Sequence, residues 1–238
     1  KKKYLINIVV SLSNKKIKNQ PMPNAIPSHQ APALLIKIKY PKRIDGTAIC
    51  IGALVPDLIV IPELLFPINL RGISHSLLGL FIWTAPLTIL LTMLFYRYIG
   101  PIISNFAKKD GFISKLLQFF GLDNWDVLKE KVFNKQFFVV AFYSALIGGL
   151  THLLLDLPSH GYIELFYPYI LRVPDILWIS LIDLGTLSIG VWQFNAVIRV
   201  YSIIWYIEDF ILLFISLYLL RFIKKQDLIN KWEKNVKK

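Results

Sequence analysis

A single cysteine, Cys50, stands in the 238-residue chain, inside an apolar run. One thiol excludes an intramolecular disulfide and argues against a Cys-based metal site, so Cys50 is read as a small core filler. Charge is scarce too: Asp, Glu, Lys and Arg make up only 18% of the residues, against 14% aromatics. That balance excludes disorder, collagen-like repeats and a coiled coil. Internal repeats, glycine-rich phosphate loops and strand-like alternation are all missing from the pattern. Apolar residues are what the chain has in excess, at 55%. With a mean hydropathy of +0.54, this composition points to an integral membrane protein.

The formal charge of +12 does not point to nucleic acid, because the basic residues are not spread over the chain. Of 27 Lys and Arg, 24 fall in Lys1 to Arg43, Arg97 to Lys135 and Arg221 to Lys238. Blocks flanking apolar runs are what the positive-inside rule produces, so the charge reports topology. Ahead of Met22, Lys1 to Pro21 is basic and polar, and Asn7 interrupts its short apolar stretch. It reads as a poorly structured basic leader with no signal-peptide cleavage site, and Met22 as the expected translation start. Residues 22–238 read as one membrane-embedded domain.

The expected fold is all-α: a polytopic transmembrane helical bundle with four to five spans plus short interfacial helices. Thr47 to Pro62 is short for a span and is broken by Pro56 and Asp57, so it should end at membrane depth. Ile73 to Ile99 is the clearest span, about 40 Å long at 1.5 Å per residue, with Ser74 as candidate N-cap. Gln136 to Leu157 follows, with Gly148 and Gly149 as a close-packing point. Ile176 to Trp192 and Ile203 to Ile223 complete the set and carry Asp183, Glu208 and Asp209. The loop Arg97 to Lys135 holds seven basic and four acidic residues, and its Phe112, Leu116, Phe119 and Phe120 suggest an amphipathic surface piece. Glu63 to Gly72 and Pro158 to Asp175 hold one basic residue each. The charge rule therefore puts 97–135 in the cytosol and the other two loops outside. One tension results: three crossings after that loop would leave the basic tail 221–238 outside.

The four histidines, His29, His75, His152 and His160, all sit beside expected helix ends. If Ile73 to Ile99 runs inward, Asp57, His75, His152, Asp156 and His160 fall at the outer membrane face. His29 joins them if Gln30 to Tyr40 descends toward its basic end. His152 and Asp156 are i and i+4, about 40° apart on a helix, and so share a face. Imidazole with carboxylate suits zinc or another borderline divalent ion. The competing reading is bland: Ser28 and Ser74 as ordinary N-caps, and His152 favoured by a helix C-terminus. Against it, Asp57 and Asp156 near helix C-termini oppose the dipole, and an unpaired charge at membrane depth costs about 2.5–3.5 kcal/mol.

Four stretches carry a resemblance: Met22 to Ala31 (MPNAIPSHQA), Gly52 to Asp57 (GALVPD), Ser74 to Gly79 (SHSLLG) and Gly149 to His160 (GLTHLLLDLPSH). In order and spacing, over Met22 to Tyr169, they resemble an uncharacterised bacterial integral membrane family. That family is similar in turn to the LexA-regulated inner-membrane metal-dependent hydrolases. The resemblance implies a membrane-embedded hydrolase with His29, Asp57, His75, His152, Asp156 and His160 as ligands of one or two divalent ions, zinc being expected. Asp57 and Asp156 are the expected catalytic carboxylates. The expected substrate is a lipid or envelope ester or phosphoester, met at the extracytoplasmic face of a bacterial inner membrane. A transporter or proton-coupled channel is the alternative, motivated by Asp183, Glu208 and Asp209; pairing of these acids with Arg199 or Arg172, or a place at an interface, is the plainer account of them. A third reading is a structural membrane protein whose polar residues hold helices together.

Overall fold

The computed structural model describes residues 28–65, 70–189 and 192–234, so the expected leader 1–21 and the start at Met22 lie outside the described residues. The chain is mostly helical. Helix α1 (Gln30–Lys39) ends on Lys37 and Lys39. Helix α2 (Gly46–Gly52) begins where the Asp45 carboxylate accepts from the Ala48 amide. A 3-10 turn, Val55–Ile59, follows with Pro56 at its start. Proline removes a donor and clashes with a continuing helix, so the chain bends by 51° between Gly46–Gly52 and Val55–Glu63. The expected break at Pro56 and Asp57 is thus present, and it turns Asp57 inward.

Helix α3 (Leu77–Ala107) is the first of three helices long and apolar enough to cross a membrane. Its cap is Ser76, which accepts from Gly79 N–H, and not the expected Ser74. Its buried residues include Leu80, Thr84, Thr88, Thr92, Tyr96, Gly100 and Ser104, a four-residue repeat. Against 3.6 residues per turn such a repeat drifts about 40° per step. Two π-helical stretches, Leu80–Thr84 and Phe95–Ile99, hold more residues per turn and take up part of that drift. Helix α4 (Phe112–Phe119) carries the expected amphipathic pattern, with Phe112, Leu116 and Phe119 exposed and Ser114 buried.

Helix α5 (Lys135–Ser159) is the second candidate span, capped by Asn134, which accepts from Phe137 N–H. Its buried stripe runs Phe137, Ala141, Ala145, Gly148, His152 and Asp156. Small residues let the α2 and α5 backbones approach closely: a Cβ added at Gly52 would lie 2.7 Å from the Ala145 carbonyl oxygen.

Two antiparallel hairpins correct the all-α expectation. Strands β1 (Tyr162–Phe166) and β2 (Tyr169–Arg172) form the first, with Tyr162 opposite Arg172. Strands β3 (Ser180–Ile189) and β4 (Trp192–Arg199) form the second, with Ser180 opposite Arg199 and Ile189 opposite Trp192. The expected span Ile176 to Trp192 is therefore a 3-10 turn, Asp175–Trp178, followed by strand β3, with Trp192 opening β4. Its 17 residues are short for a crossing, and Gly185, at φ 72°, sets a register shift that a helix would not accommodate. Helix α6 (Val200–Lys225) is the third candidate span and is followed by α7 (Leu228–Lys234). Four to five spans were expected; the described residues hold three, or four if the bent pair at Gly46–Glu63 counts as one. Leu219 and Ile223 of α6 pack on Leu34 of α1, which ties the C-terminal part of the chain to the rest.

Candidate metal centre

Four side chains converge where these elements end. Asp57 comes from the bend after α2, His75 from the turn that follows Arg71–Ser74, and His152 and Asp156 from the buried stripe of α5. One ligand atom from each lies within 4.8 Å of all the others. His75 Nε2 is 3.2 Å from Asp57 Oδ1 and 3.4 Å from Asp156 Oδ2. His152 Nε2 is 3.6 Å from Asp57 Oδ1 and 3.3 Å from Asp156 Oδ2. A tetrahedral ion with bonds of about 2.0–2.1 Å requires ligand–ligand edges of about 3.3–3.4 Å. A charge-assisted N–H···O bond is shorter, about 2.7–2.9 Å. The four separations match the first length better than the second.

The imidazoles are held so that their Nε2 lone pairs face inward, as their other partners show. His152 Nδ1–H donates to the Ala53 carbonyl at 2.9 Å. Ser74 Oγ–H donates to the Arg71 carbonyl, so its oxygen accepts from His75 Nδ1–H at 2.8 Å. Two lone pairs aimed at two carboxylates repel unless a cation lies between them. Burial sharpens this, since His152 and Asp156 are almost fully buried and His152 Nε2, Asp57 Oδ2 and both Asp156 oxygens have no hydrogen-bond partner among the described residues. With neutral imidazoles the cluster carries two negative charges, which a divalent ion neutralises.

His29 and His160 stand beside this group and not in it. His29 Nδ1 lies 2.9 Å from His152 Nδ1, on the ring edge opposite the ligand nitrogen. Because His152 Nδ1 carries the proton, His29 accepts a share of it. Burial lowers the His29 pKa, which keeps it neutral for that role. His160 Nδ1 is 3.6 Å from Asp156 Oδ1 and within hydrogen-bond reach of Ser159. Burial lowers the His160 pKa as well.

Residues 22–165 match the family described as a domain of unknown function, DUF4184. The chain belongs to that family. All six expected site residues fall inside the DUF4184 segment, whose description states no activity. No curated protein and no solved structure matches the chain. Outside the DUF4184 segment, α6 adds two acids that sequence reasoning left without a role in the site. Glu208 and Asp209 lie within electrostatic reach of Asp156, and Asp209 Oδ1 accepts from Ser28 Oγ–H at 2.7 Å, next to His29. Pairing with arginine or a place at an interface was the plainer expectation; Arg199 stacks over Trp178, and Asp183 accepts from the Gly185 amide on the exposed hairpin. Their position one helix from the histidines has no local sequence signal.

A second polar centre, at the far end of α5, also escaped the sequence reading. Tyr96 O–H donates to both Asp45 oxygens, at 2.8 and 2.9 Å, and Ser144 Oγ accepts from Asp45 N–H at 3.0 Å. Lys131 Nζ stands 3.5 Å from the same carboxylate. With its oxygens occupied, this cluster anchors helices and offers no open ligand set.

Proposed function

We propose that Asp57, His75, His152 and Asp156 hold a divalent metal ion, zinc being the ion the donor set fits, in a membrane-bound metal-dependent hydrolase. The substrate class is a lipid or other envelope ester or phosphoester, met at the membrane surface. The observation that carries this reading is the set of four separations of 3.2–3.6 Å between inward-facing imidazole nitrogens and carboxylate oxygens. Such an ion supplies Lewis acidity and an activated water for hydrolysis.

The chain's own groups divide the remaining work. Asp57 is the most open ligand, its side chain 22% exposed against 1% for Asp156, and its Oδ2 has no partner among the described residues. It is positioned to take a proton from the nucleophile. Asp156 joins the cluster through Oδ2 and turns Oδ1 to His160, which stands ready to return a proton to the leaving oxygen. His29 and Ser74 hold the two ligand rings. By the positive-inside rule this end of the helices is the extracytoplasmic one in a bacterial inner membrane.

Metal analysis of the purified chain tests the proposal. Wild type should retain close to one zinc or similar ion per chain through a chelator wash that leaves a zinc control loaded. Asp156→Ala and His152→Ala should lose it while still inserting, because insertion depends on the apolar runs. A metal-free wild type overturns the proposal. A proton-coupled transporter would then lead, supported by the buried Glu208 Oε2, which has no hydrogen-bond partner among the described residues.

A further inference from the structure

The β3–β4 hairpin has an unusual surface. Successive strand residues point to opposite faces. Yet Leu181, Ile182 and Leu184 are 49%, 50% and 59% exposed, so both faces at the base of β3 present apolar side chains left open by the described residues. Between Ile176 and Ile198 the only charged residue is Asp183, and its carboxylate is turned back onto the Gly185 amide. A sheet in water keeps one polar face, and a lone two-stranded hairpin is marginal there. This one has no third strand among the described residues; its outer half pairs Thr186 with Asn195 and Ser188 with Gln193 on one face, and its base lacks such a polar face.

We infer that the β3–β4 hairpin lies in the boundary between lipid headgroups and acyl chains, as a lipid-contacting arm at the candidate-site end of the molecule. Three observations select lipid over a second copy of the chain. First, β4 runs directly into α6, a helix long and apolar enough to cross a membrane. Second, the base of the hairpin carries an aromatic cluster of the kind that sits at membrane interfaces: Tyr162 stacks on Trp178, Trp178 meets Tyr201 edge-on, and Arg199 covers Trp178 at 4.9 Å. Third, the register shift between Asp183 and Thr186 breaks the ladder, which makes the hairpin a poor template for edge pairing with another chain. Crossing the bilayer is excluded, because a two-stranded hairpin would leave its outer backbone groups unpaired in hydrocarbon. At the boundary those groups reach water and headgroups while the side chains reach acyl chains.

The inference does not depend on the metal, and its test needs none. In the full chain with Cys50→Ala, Leu184→Cys and Leu181→Cys each carry an environment-sensitive dye, with Ile182→Cys as a third position should one variant fail to insert. The probes are phosphatidylcholine vesicles bearing spin labels near the headgroup or deep in the acyl chain. Both faces should give blue-shifted emission, quenched more by the headgroup-proximal label than by the deep one, at every protein-to-lipid ratio. Water-like emission at either face overturns the inference. Strongest quenching from the deep label, or a blue shift that grows only as protein is concentrated, overturns it as well, the last by assigning the surface to a second copy.

Discussion

The two nitrogens of His152 have different tasks, and the site depends on keeping them apart. Nδ1–H is fixed by the Ala53 carbonyl and by His29, each at 2.9 Å, so that Nε2 faces Asp57 and Asp156. Groups that orient a metal-bound imidazole are worth about 10–100-fold in metal affinity. His29→Ala should therefore weaken zinc binding by about that factor in a chelator competition, with the stoichiometry kept. Complete metal loss, as predicted for Asp156→Ala, would make His29 a ligand. The i, i+4 spacing revealed the face shared by His152 and Asp156, but the same spacing relates Asp156 to His160. Spacing along one helix cannot say which neighbour turns inward; that is set by the bend at Pro56 and the turn at His75, far away in sequence. Asp45 stayed hidden for a similar reason, because its partner Tyr96 is 51 residues away. Tyr96→Phe should lower the unfolding temperature in detergent, since it strips a buried carboxylate of one donor at a cost of about 1–3 kcal/mol, while leaving bound metal unchanged.

Helices long enough to cross a membrane were legible because twenty or so apolar residues admit few other solutions. The segment Ile176 to Trp192 lies at the lower edge of that length. There hydropathy alone does not separate a span from a strand with two apolar faces; Gly185 and the β-branched residues around it were the available signal. Where α2 meets α5, sequence and structure agree on glycine. A Cβ at Gly148 would meet the Ala53 amide nitrogen at 2.9 Å, and Ala53 is the residue whose carbonyl holds His152. Gly148→Val should therefore force α2 away from α5 at about 1–3 kcal/mol of overpacking. It should also lower zinc occupancy although no ligand is altered. Unfolding temperature and metal content measured on one preparation check both effects, and full occupancy in a destabilised variant would uncouple this contact from the site.

Taken over the whole molecule, the three candidate spans remove the tension between the charge rule and the basic tail. Three crossings after Arg97 to Lys135 would have carried the basic tail to the opposite side. With Ile176 to Trp192 in a hairpin, α5 and α6 are the two candidate crossings left after that loop, and two crossings would bring the chain back. Contacts between distant segments support the same arrangement: Lys224 Nζ lies 2.6 and 2.7 Å from the Asp123 oxygens, Arg221 donates to the Phe119 carbonyl at 2.7 Å, and Lys37 sits over the Trp232 ring. The basic ends of α1 and α6 and the segment between α3 and α5 therefore share one end of the molecule, and the histidines share the other. In intact cells, with Cys50 replaced, an impermeant thiol reagent should leave Lys115→Cys and Lys231→Cys unmodified and should label Tyr169→Cys, at a position 76% exposed on the first hairpin. Labelling of all but Tyr169→Cys would invert the molecule and move the candidate site to the cytosolic leaflet. Labelling that splits Lys115→Cys from Lys231→Cys would mean that the hairpin segment crosses after all. The positive-inside rule favours the first pattern because 16 of the 19 Lys and Arg among the described residues lie in Lys37 to Arg43, Arg97 to Lys135 and Arg221 to Lys234, at the end it would keep inside. The other three, Arg71, Arg172 and Arg199, stand at the histidine end, where Arg71 acts electrostatically on His160 and Arg199 is held against Trp178.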